Sequence, residues 1–385
     1  MRYNPAFPFE RKEPVKRMTD MKYWLWFQLA MSERHELKYR LWEAQPDVEL
    51  LYHMKREDYQ ELGIDNKRIL DLLCDKRMDR VERELEFAGQ HRVELISIDS
   101  QRYPQRLREI PNPPLVLYQR GKHFEECLTL AIAIVGTRKC SEYGRQCAFT
   151  LARDLAKAGF TVVSGMAAGI DGCAHRGALD GEGKTIAVLG NGVNRPYPDI
   201  HRELMVDIMN HGSVVSELPF DAKPLPQHFP IKNRIVSGLC IGAIAVEGKQ
   251  RSGASITIHH ANEQSRETFA VPGNINQENS QLCNRLIQCG EAKLITSVDD
   301  VLEEFEAAYG HLLHKEERQA QTAAQRPLTE QEKQIVALLQ QEPKQLEELC
   351  RLTGWNVAQM GMVLTMLEVD QIIYQMPGKY FGLQK

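Results

Sequence analysis

The sequence has no run of about 20 apolar residues, the length that a membrane-spanning helix needs. Its first residues, MRYNPAFPFERKEPVKRM, contain no apolar core of the kind found in a secretory signal. The nine cysteines, at positions 74, 127, 140, 147, 173, 240, 283, 289 and 350, never form a CxxC pair, so neither a zinc knuckle nor a dithiol redox motif is supported. Scattered free thiols fit a reducing compartment. The formal net charge is −4, so the chain lacks a global basic excess. A local basic groove stays open to it, because the field in a groove is set by the residues lining it. A GxGxxG fingerprint is also missing, and the second apolar run of the central region ends in Ser164-Gly165 rather than in an acid. Dinucleotide binding is therefore disfavoured. These absences predict a soluble, cytoplasmic protein with no cofactor and no metal, and 385 residues predict two or three domains.

What is present is densest between residues 130 and 192. Three apolar runs, 130–135, 161–163 and 185–189, each end in a glycine-bearing loop, and the first two loops lead into helix-like segments. Further strands are expected at 213–218, 241–248, 268–273 and 292–296. Helices are expected between them at about 199–211, 232–239, 253–264 and 281–289, and Ser297 is placed to cap a last helix over 297–305. Strands alternating with helices predict an α/β fold, a doubly wound parallel sheet with right-handed crossovers. The carboxyl edge of such a sheet presents backbone N–H groups to an anion.

The flanks differ. Residues 1–19 read as a flexible arm and 20–90 as a small helical domain. Within it, Gly63 between Leu62 and Ile64 resembles half of a helix-hairpin-helix, and Tyr23, Trp24, Trp26 and Phe27 read as bundle core. Residues 91–121 add two short strands, at 93–98 and 115–121, ahead of the central region. An Ala/Gln/Glu/Lys-rich linker is expected at 306–327, and three helices with a terminal hairpin turning at Pro377-Gly378 predict a winged helix over 328–385. Its third helix, about 356–370, has no lysine or arginine, which argues against reading a duplex groove.

The candidate binding residues come from the loops. In Gly136-Thr137-Arg138-Lys139-Cys140-Ser141 the glycine admits close backbone approach, Thr137 and Ser141 offer hydroxyls, and Arg138 can grip a phosphate with two parallel hydrogen bonds. The loop from Ser164-Gly165 to Asp171 is dense in small residues, with Asp171 read as a helix cap that bonds His175 one turn on. Cys173 points elsewhere, so a Cys–His nucleophile is not expected. Tyr197 reads as a packed loop aromatic rather than a base platform. Between Phe229 and His260, Lys232, Arg234, Lys249 and Arg251 face a single acid, Glu247. Lys232 and Arg234 are expected at the start of a helix, and Ser252-Gly253 opens another. One phosphate needs less than this; a chain of phosphates would use all of it.

In this order VGTR (135–138), SGMAAGID (164–171) with His175, LGNG with Tyr197-Pro198, SEL (216–218), FPIKNRIVSGL (229–239), VEG and SGASIT (246–257), FAVPG (269–273) and NRLIQCG (284–290) resemble the DNA-processing protein A family, DprA, also called Smf. The resemblance covers about 160 residues of the central region. It implies an extended Rossmann-like domain over 91–305, preceded by a SAM-like or helix-hairpin-helix-like domain and followed by a winged helix. It implies a non-enzymatic homodimer that binds single-stranded DNA, protects it and loads the RecA recombinase on it during natural transformation, displacing single-strand binding protein. On the matching motifs it assigns the DNA pocket to Gly136, Thr137, Arg138, Ser164, Gly165, Lys232, Asn233, Arg234, Ser252 and Gly253, and a dimer contact to Leu286 and Ile287. Lys139, Ser141 and Lys249 join the pocket on their chemistry. The chain departs from the family where Lys232 replaces a common arginine and where Ser265 and Cys283 replace common glycines. The alternative reading is a Rossmann-like nucleotide phosphoribohydrolase. Its PGGxGT loop would fall at AVPGNINQEN, which lacks the second glycine and the GT, although Glu278 is close.

Overall fold

The computed structural model describes residues 19–32, 34–313, 328–340, 342–369, 372–376 and 378–383. The expected arm therefore lies almost wholly outside the described residues, as do 314–327 of the expected linker and Pro377 of the expected turn. The chain divides into two compact units, Met1–Leu313 and His314–Lys385.

The first unit holds a nine-stranded sheet. Its strands are β1 (Glu94–Ser97), β2 (Val116–Gly121), β3 (Ala131–Val135), β4 (Thr161–Ser164), β5 (Thr185–Val188), β6 (Ser213–Ser216), β7 (Gly242–Ala245), β8 (Glu267–Ala270) and β9 (Lys293–Leu294). They lie in the order β1-β2-β6-β5-β4-β3-β7-β8-β9. Strands β3 to β9 are mutually parallel, while β2 runs antiparallel to β6 and β1 antiparallel to β2. The continuous apolar runs have this cause: helices cover both faces, so neither set of alternating side chains can be polar. In β3, Ala131, Ala133 and Val135 join one core, and Ile132 and Ile134 join the other.

The Ile132 side is packed by α8 (Glu142–Lys157), α9 (Ile170–Asp180) and α14 (Asp299–Tyr309) through Leu151, Leu155, Ala174, Leu302 and Phe305. The opposite side is packed by α11 (His228–Gly238) and α12 (Gly253–Glu263). It also takes the amino-terminal helices α1 (Met21–Ala30), α2 (His35–Ala44), α3 (Val48–His53), α4 (Arg56–Glu61), α5 (Lys67–Cys74) and α6 (Asp79–His91). Trp24, Phe27, Leu51 and Leu73 share one core with Tyr118 of β2 and with Phe220, so the helical block closes its core against the sheet. Short α7 (Gln105–Arg108), α10 (Arg202–His211) and α13 (Gln281–Gln288) complete the unit. No helix among the described residues is long and apolar enough to cross a membrane.

Three local details depart from expectation. Helix α11 starts a turn earlier, at His228, because Pro230 falls in the first turn, where its missing N–H costs no intrahelical bond. Helix α14 is not capped by Ser297; the Asp300 carboxylate reaches back to accept from the N–H groups of Thr296 and Ser297, at 2.7 and 3.0 Å. Gly63 does adopt a left-handed φ of +81°, but the Asn66 side chain already accepts from the first-turn amides of Arg68 and Ile69 in α5.

The second unit packs α15 (Glu330–Leu339), α16 (Leu346–Thr353) and α17 (Val357–Val369) around Ile335, Leu349, Met360, Leu364 and Leu367. Strands β10 (Lys344–Gln345), β11 (Ile373–Met376) and β12 (Tyr380–Leu383) form a sheet in the order β10-β12-β11, the wing of a winged helix. Thr329 and Glu332 close a capping box on α15.

Candidate nucleic-acid interface

Strand β3 sits where the connections diverge, with β4 on one side and β7 on the other. At such a switch point the loops part beyond the carboxyl edge and leave a crevice. Here the crevice has a volume of about 290 Å³. Gly136, Thr137 and Arg138 follow β3 along one wall, and Gly165 and Ala167 follow β4. The facing wall is α11, through Phe229, Lys232, Asn233 and Val236, and the far end is the first turn of α12, from Ser252 to Ala254.

The close approach of these loops needs two glycines. A β-carbon on Gly165 would fall on the Lys232 ammonium, and one on Gly169, at φ +82°, would fall on the Thr137 carbonyl. The β3 loop is pinned by the Thr137 amide, which donates to the Glu247 carbonyl beyond β7 at 2.8 Å.

Lys232 is the buried cation of the crevice. Its ammonium donates to the carbonyls of Gly165 and Val188, both at 3.2 Å. Burial lowers its pKa to about 8, the nearby Asp171 charge partly restores it, and Arg138 lowers it further. The Asp171 carboxylate accepts from the amides of Gly165 at 3.2 Å and Ala167 at 3.4 Å. Its own pKa is raised by burial against the opposing pull of Lys232 and these amides. The Arg138 guanidinium lies over the Phe229 ring, 4.9 Å from its centre, which holds an exposed cation at the mouth.

Two helix amino termini meet this edge, and they differ. At α8 the Ser141 cap is consumed: its N–H and hydroxyl both donate to the Glu247 carboxylate, at 2.9 and 2.5 Å. An internal anion already satisfies that terminus. At α12 the Ser252 cap pairs only with Ser255, in a capping box, and no acid occupies the first turn. The positive end of α12 therefore faces the crevice without a carboxylate of its own. Asn233 fixes it there, donating to the Gly253 carbonyl at 3.0 Å.

Of the residues picked from sequence, the crevice gathers Gly136, Thr137, Arg138, Gly165, Lys232, Asn233, Ser252 and Gly253. Ser164 lies beneath it, fully buried, its hydroxyl donating to the Ile134 carbonyl. Ser141 is held by Glu247 as described. Lys139 is exposed outside the lining, and Lys249 is exposed and paired with Glu278 at 2.6 Å. That pairing also occupies the carboxylate on which the hydrolase reading depends. Arg234 points the other way. Two residues along a helix is a turn of roughly 200°, and its guanidinium meets the buried Glu217 at 2.7 Å. Leu286 belongs to the core and Ile287 is half-buried against it.

Other expectations change. His175 does not bond Asp171; its Nδ1 shares a hydrogen bond with the Thr185 hydroxyl at 2.7 Å, and burial lowers its pKa to about 3. Asp171 is not a cap but the anchor of the loop before its helix. Ser265 takes a left-handed φ of +55°, which explains why glycine would suit that position. The crevice also holds Phe229, which lies in the FPIKNRIVSGL motif but is not among the binding residues expected from sequence. The signal for it was present: 229, 232, 233 and 236 are spaced i, i+3, i+4, i+7, one helical face. It is legible only once the helix is started at His228.

The model for DNA recombination-mediator protein A matches residues 94–306, and that for the DprA winged helix domain matches 319–379. The chain is 35% identical over 267 residues to the DNA processing protein DprA of Bacillus subtilis, covering 68% of this chain and 88% of that protein. It is 31% identical over 403 residues to the protein Smf of Synechocystis, covering 94% and 98%. Among solved structures, DNA processing protein A from Streptococcus pneumoniae superposes with a TM-score of 0.65 at 35% identity, over 75% of this chain and 99% of that one. DNA processing protein A from Helicobacter pylori, described for its single-stranded DNA binding mode, does so with a TM-score of 0.50 at 28% identity, over 55% and 95%. By the extent of these matches, the chain belongs to the DNA recombination-mediator protein A family.

Proposed function

We propose that this protein binds single-stranded DNA in the β3 crevice and acts in recombination without catalysing a reaction itself. The observation that carries the reading is the excess of positive groups on one edge: the open α12 terminus, buried Lys232 and Arg138 converge on one crevice beside the Phe229 ring, with Asp171 the one carboxylate lining it. A phosphate answers the cations, and the Phe229 ring with Arg138 over it gives the strand an apolar, charge-bearing surface beside them. The single-stranded DNA binding described for the Helicobacter pylori relative supports it. The family resemblance extends the proposal to loading of RecA, displacement of single-strand binding protein and a homodimer that uses the α13 region. In such a contact Ile287 would be the accessible member and Leu286 its support.

The test is a fluorescence titration of labelled oligo-dT across a salt series. Affinity should fall linearly in log–log form, with a slope of roughly −0.7 per phosphate engaged, and Arg138→Ala should weaken it. Salt-independent binding, or equal binding by the variant, would contradict the reading. A stoichiometric complex of RecA, this protein and a single strand would support the loading role, and release of free base from nucleoside monophosphates would support the hydrolase instead.

A further inference from the structure

The Phe229 ring, which carries Arg138 and lines the crevice, also meets the half-buried Tyr197, ring centres 5.4 Å apart and tilted by 47°. Tyr197 lines a second, more open groove of about 470 Å³, walled by Asn194, Arg195, Pro196, Asp199, Arg202 and Pro224. The two depressions are thus separated by a pair of rings, with an exposed arginine at the crevice end and two more in the groove. Arg202 is opposed by Asp199 only at 3.8 Å, with both side chains largely exposed, a pairing that solvent screens heavily. Arg195 has no ion pair among the described residues.

We propose that the groove is a second subsite for the same strand, so that DNA leaving the crevice crosses the Phe229–Tyr197 rings and places its next phosphates on Arg195 and Arg202. The proposal rests on the crevice reading above. A single strand alternates a planar base with a phosphate, and the surface alternates in the same way: guanidinium, two rings, guanidinium pair. A free mononucleotide would have no use for the second half. Pro196 and Pro224 give the groove walls of restricted backbone, so little ordering is needed on binding. The Tyr197 ring, expected from sequence to be packing alone, both packs against Phe229 and lines the groove.

Oligo-dT of two nucleotides and of about 16 nucleotides separates the two subsites, because a dinucleotide seated in the crevice leaves no further phosphate for the groove. The double variant Arg195→Ala/Arg202→Ala removes exposed side chains only and should fold as the parent does. It should bind the long oligomer roughly tenfold more weakly at low salt, with the salt slope shallower by about 0.7 to 1.4 for one or two phosphates lost. Its affinity for the short oligomer should stay within about twofold of the parent. Equal weakening for both lengths, or for neither, would overturn the second subsite. Arg138→Ala, run in parallel, should weaken both lengths. If it does and the double variant changes neither, only the extension fails; if Arg138→Ala changes neither, the crevice reading fails and the extension with it.

Discussion

The two faces of α11 carry two buried cations, and they are settled differently. On one face Arg234 meets Glu217, which also receives His35 at 3.3 Å. The Gln28 side chain donates to the Glu217 backbone carbonyl and accepts from the Lys38 ammonium. Burial alone would raise the Glu217 pKa, but Arg234, His35 and Lys38 outweigh it and hold the carboxylate well below its usual range. On the other face Lys232 finds only two carbonyls and the more distant Asp171 charge, and its pKa falls to about 8. The first face is an internal weld between the helical block and the sheet. The second is a cation short of an anion. The same short segment, KNR, thus gives one residue to the fold and, in the proposed function, another to the ligand, and the difference lies in whether the protein provides a paired counter-charge.

This contrast can be broken in order of expected effect. Glu217→Gln removes the one carboxylate serving Arg234 and His35, and should cost about 3–5 kcal/mol of stability. Chemical denaturation reads this as a lowered midpoint, while oligo-dT affinity of the folded fraction should be unchanged. Lys232→Met keeps the packing volume of the stem and removes the charge. It should weaken oligo-dT by about tenfold to a hundredfold, the worth of a charged hydrogen bond, with a far smaller change in midpoint. Gly165→Ala puts a methyl against the Lys232 ammonium and should cost about 1–3 kcal/mol of stability, with weaker binding as the ammonium is displaced. Ser252→Ala removes the α12 cap and should cost about 1 kcal/mol, read by thermal unfolding.

The pH dependence sharpens the same comparison. Lys232 in the free protein titrates near 8, and a bound phosphate would raise that value. Binding then takes up a proton above pH 8, so affinity should be flat below that point and fall as pH rises past it, by at most about tenfold per pH unit. Lys232→Met should abolish this. Folding runs the other way. Lys38 and Lys232 titrate near 8 in the folded chain and near 10.5 when unfolded, so the folded state binds fewer protons between these values. Their joint penalty is full below pH 8 and is relieved as pH rises through that window.

How much of this was legible in the sequence follows from which interactions are local. The parallel sheet was, because apolar runs and glycine loops are contiguous, and β3, β4 and β5 fall within a residue or two of the expected ranges. Most of the crevice was, because Gly136–Arg138, Gly165 and Ser252-Gly253 sit at strand or helix ends where backbone meets ligand. What was not legible depends on partners far along the chain. Arg234 looks identical to Lys232 as a basic residue, but its partner is the Glu217 carboxylate, and Glu217 is in turn met by His35 and by Gln28, the last lying 189 residues from it. Ser141 looked like a free hydroxyl until Glu247, 106 residues on, reached it. Phe229 is not legible because the helix expected at 232–239 begins after it, whereas the chain starts the helix at His228.

The most direct test of the central contrast is a paired measurement of oligo-dT affinity for Lys232→Met and Arg234→Met, at a temperature where both are folded by circular dichroism. The account predicts a loss of about tenfold or more for Lys232→Met and affinity within about twofold of the parent for Arg234→Met. Equal losses for the two, or a larger loss for Arg234→Met, would contradict the assignment of one face of α11 to the ligand and the other to the fold.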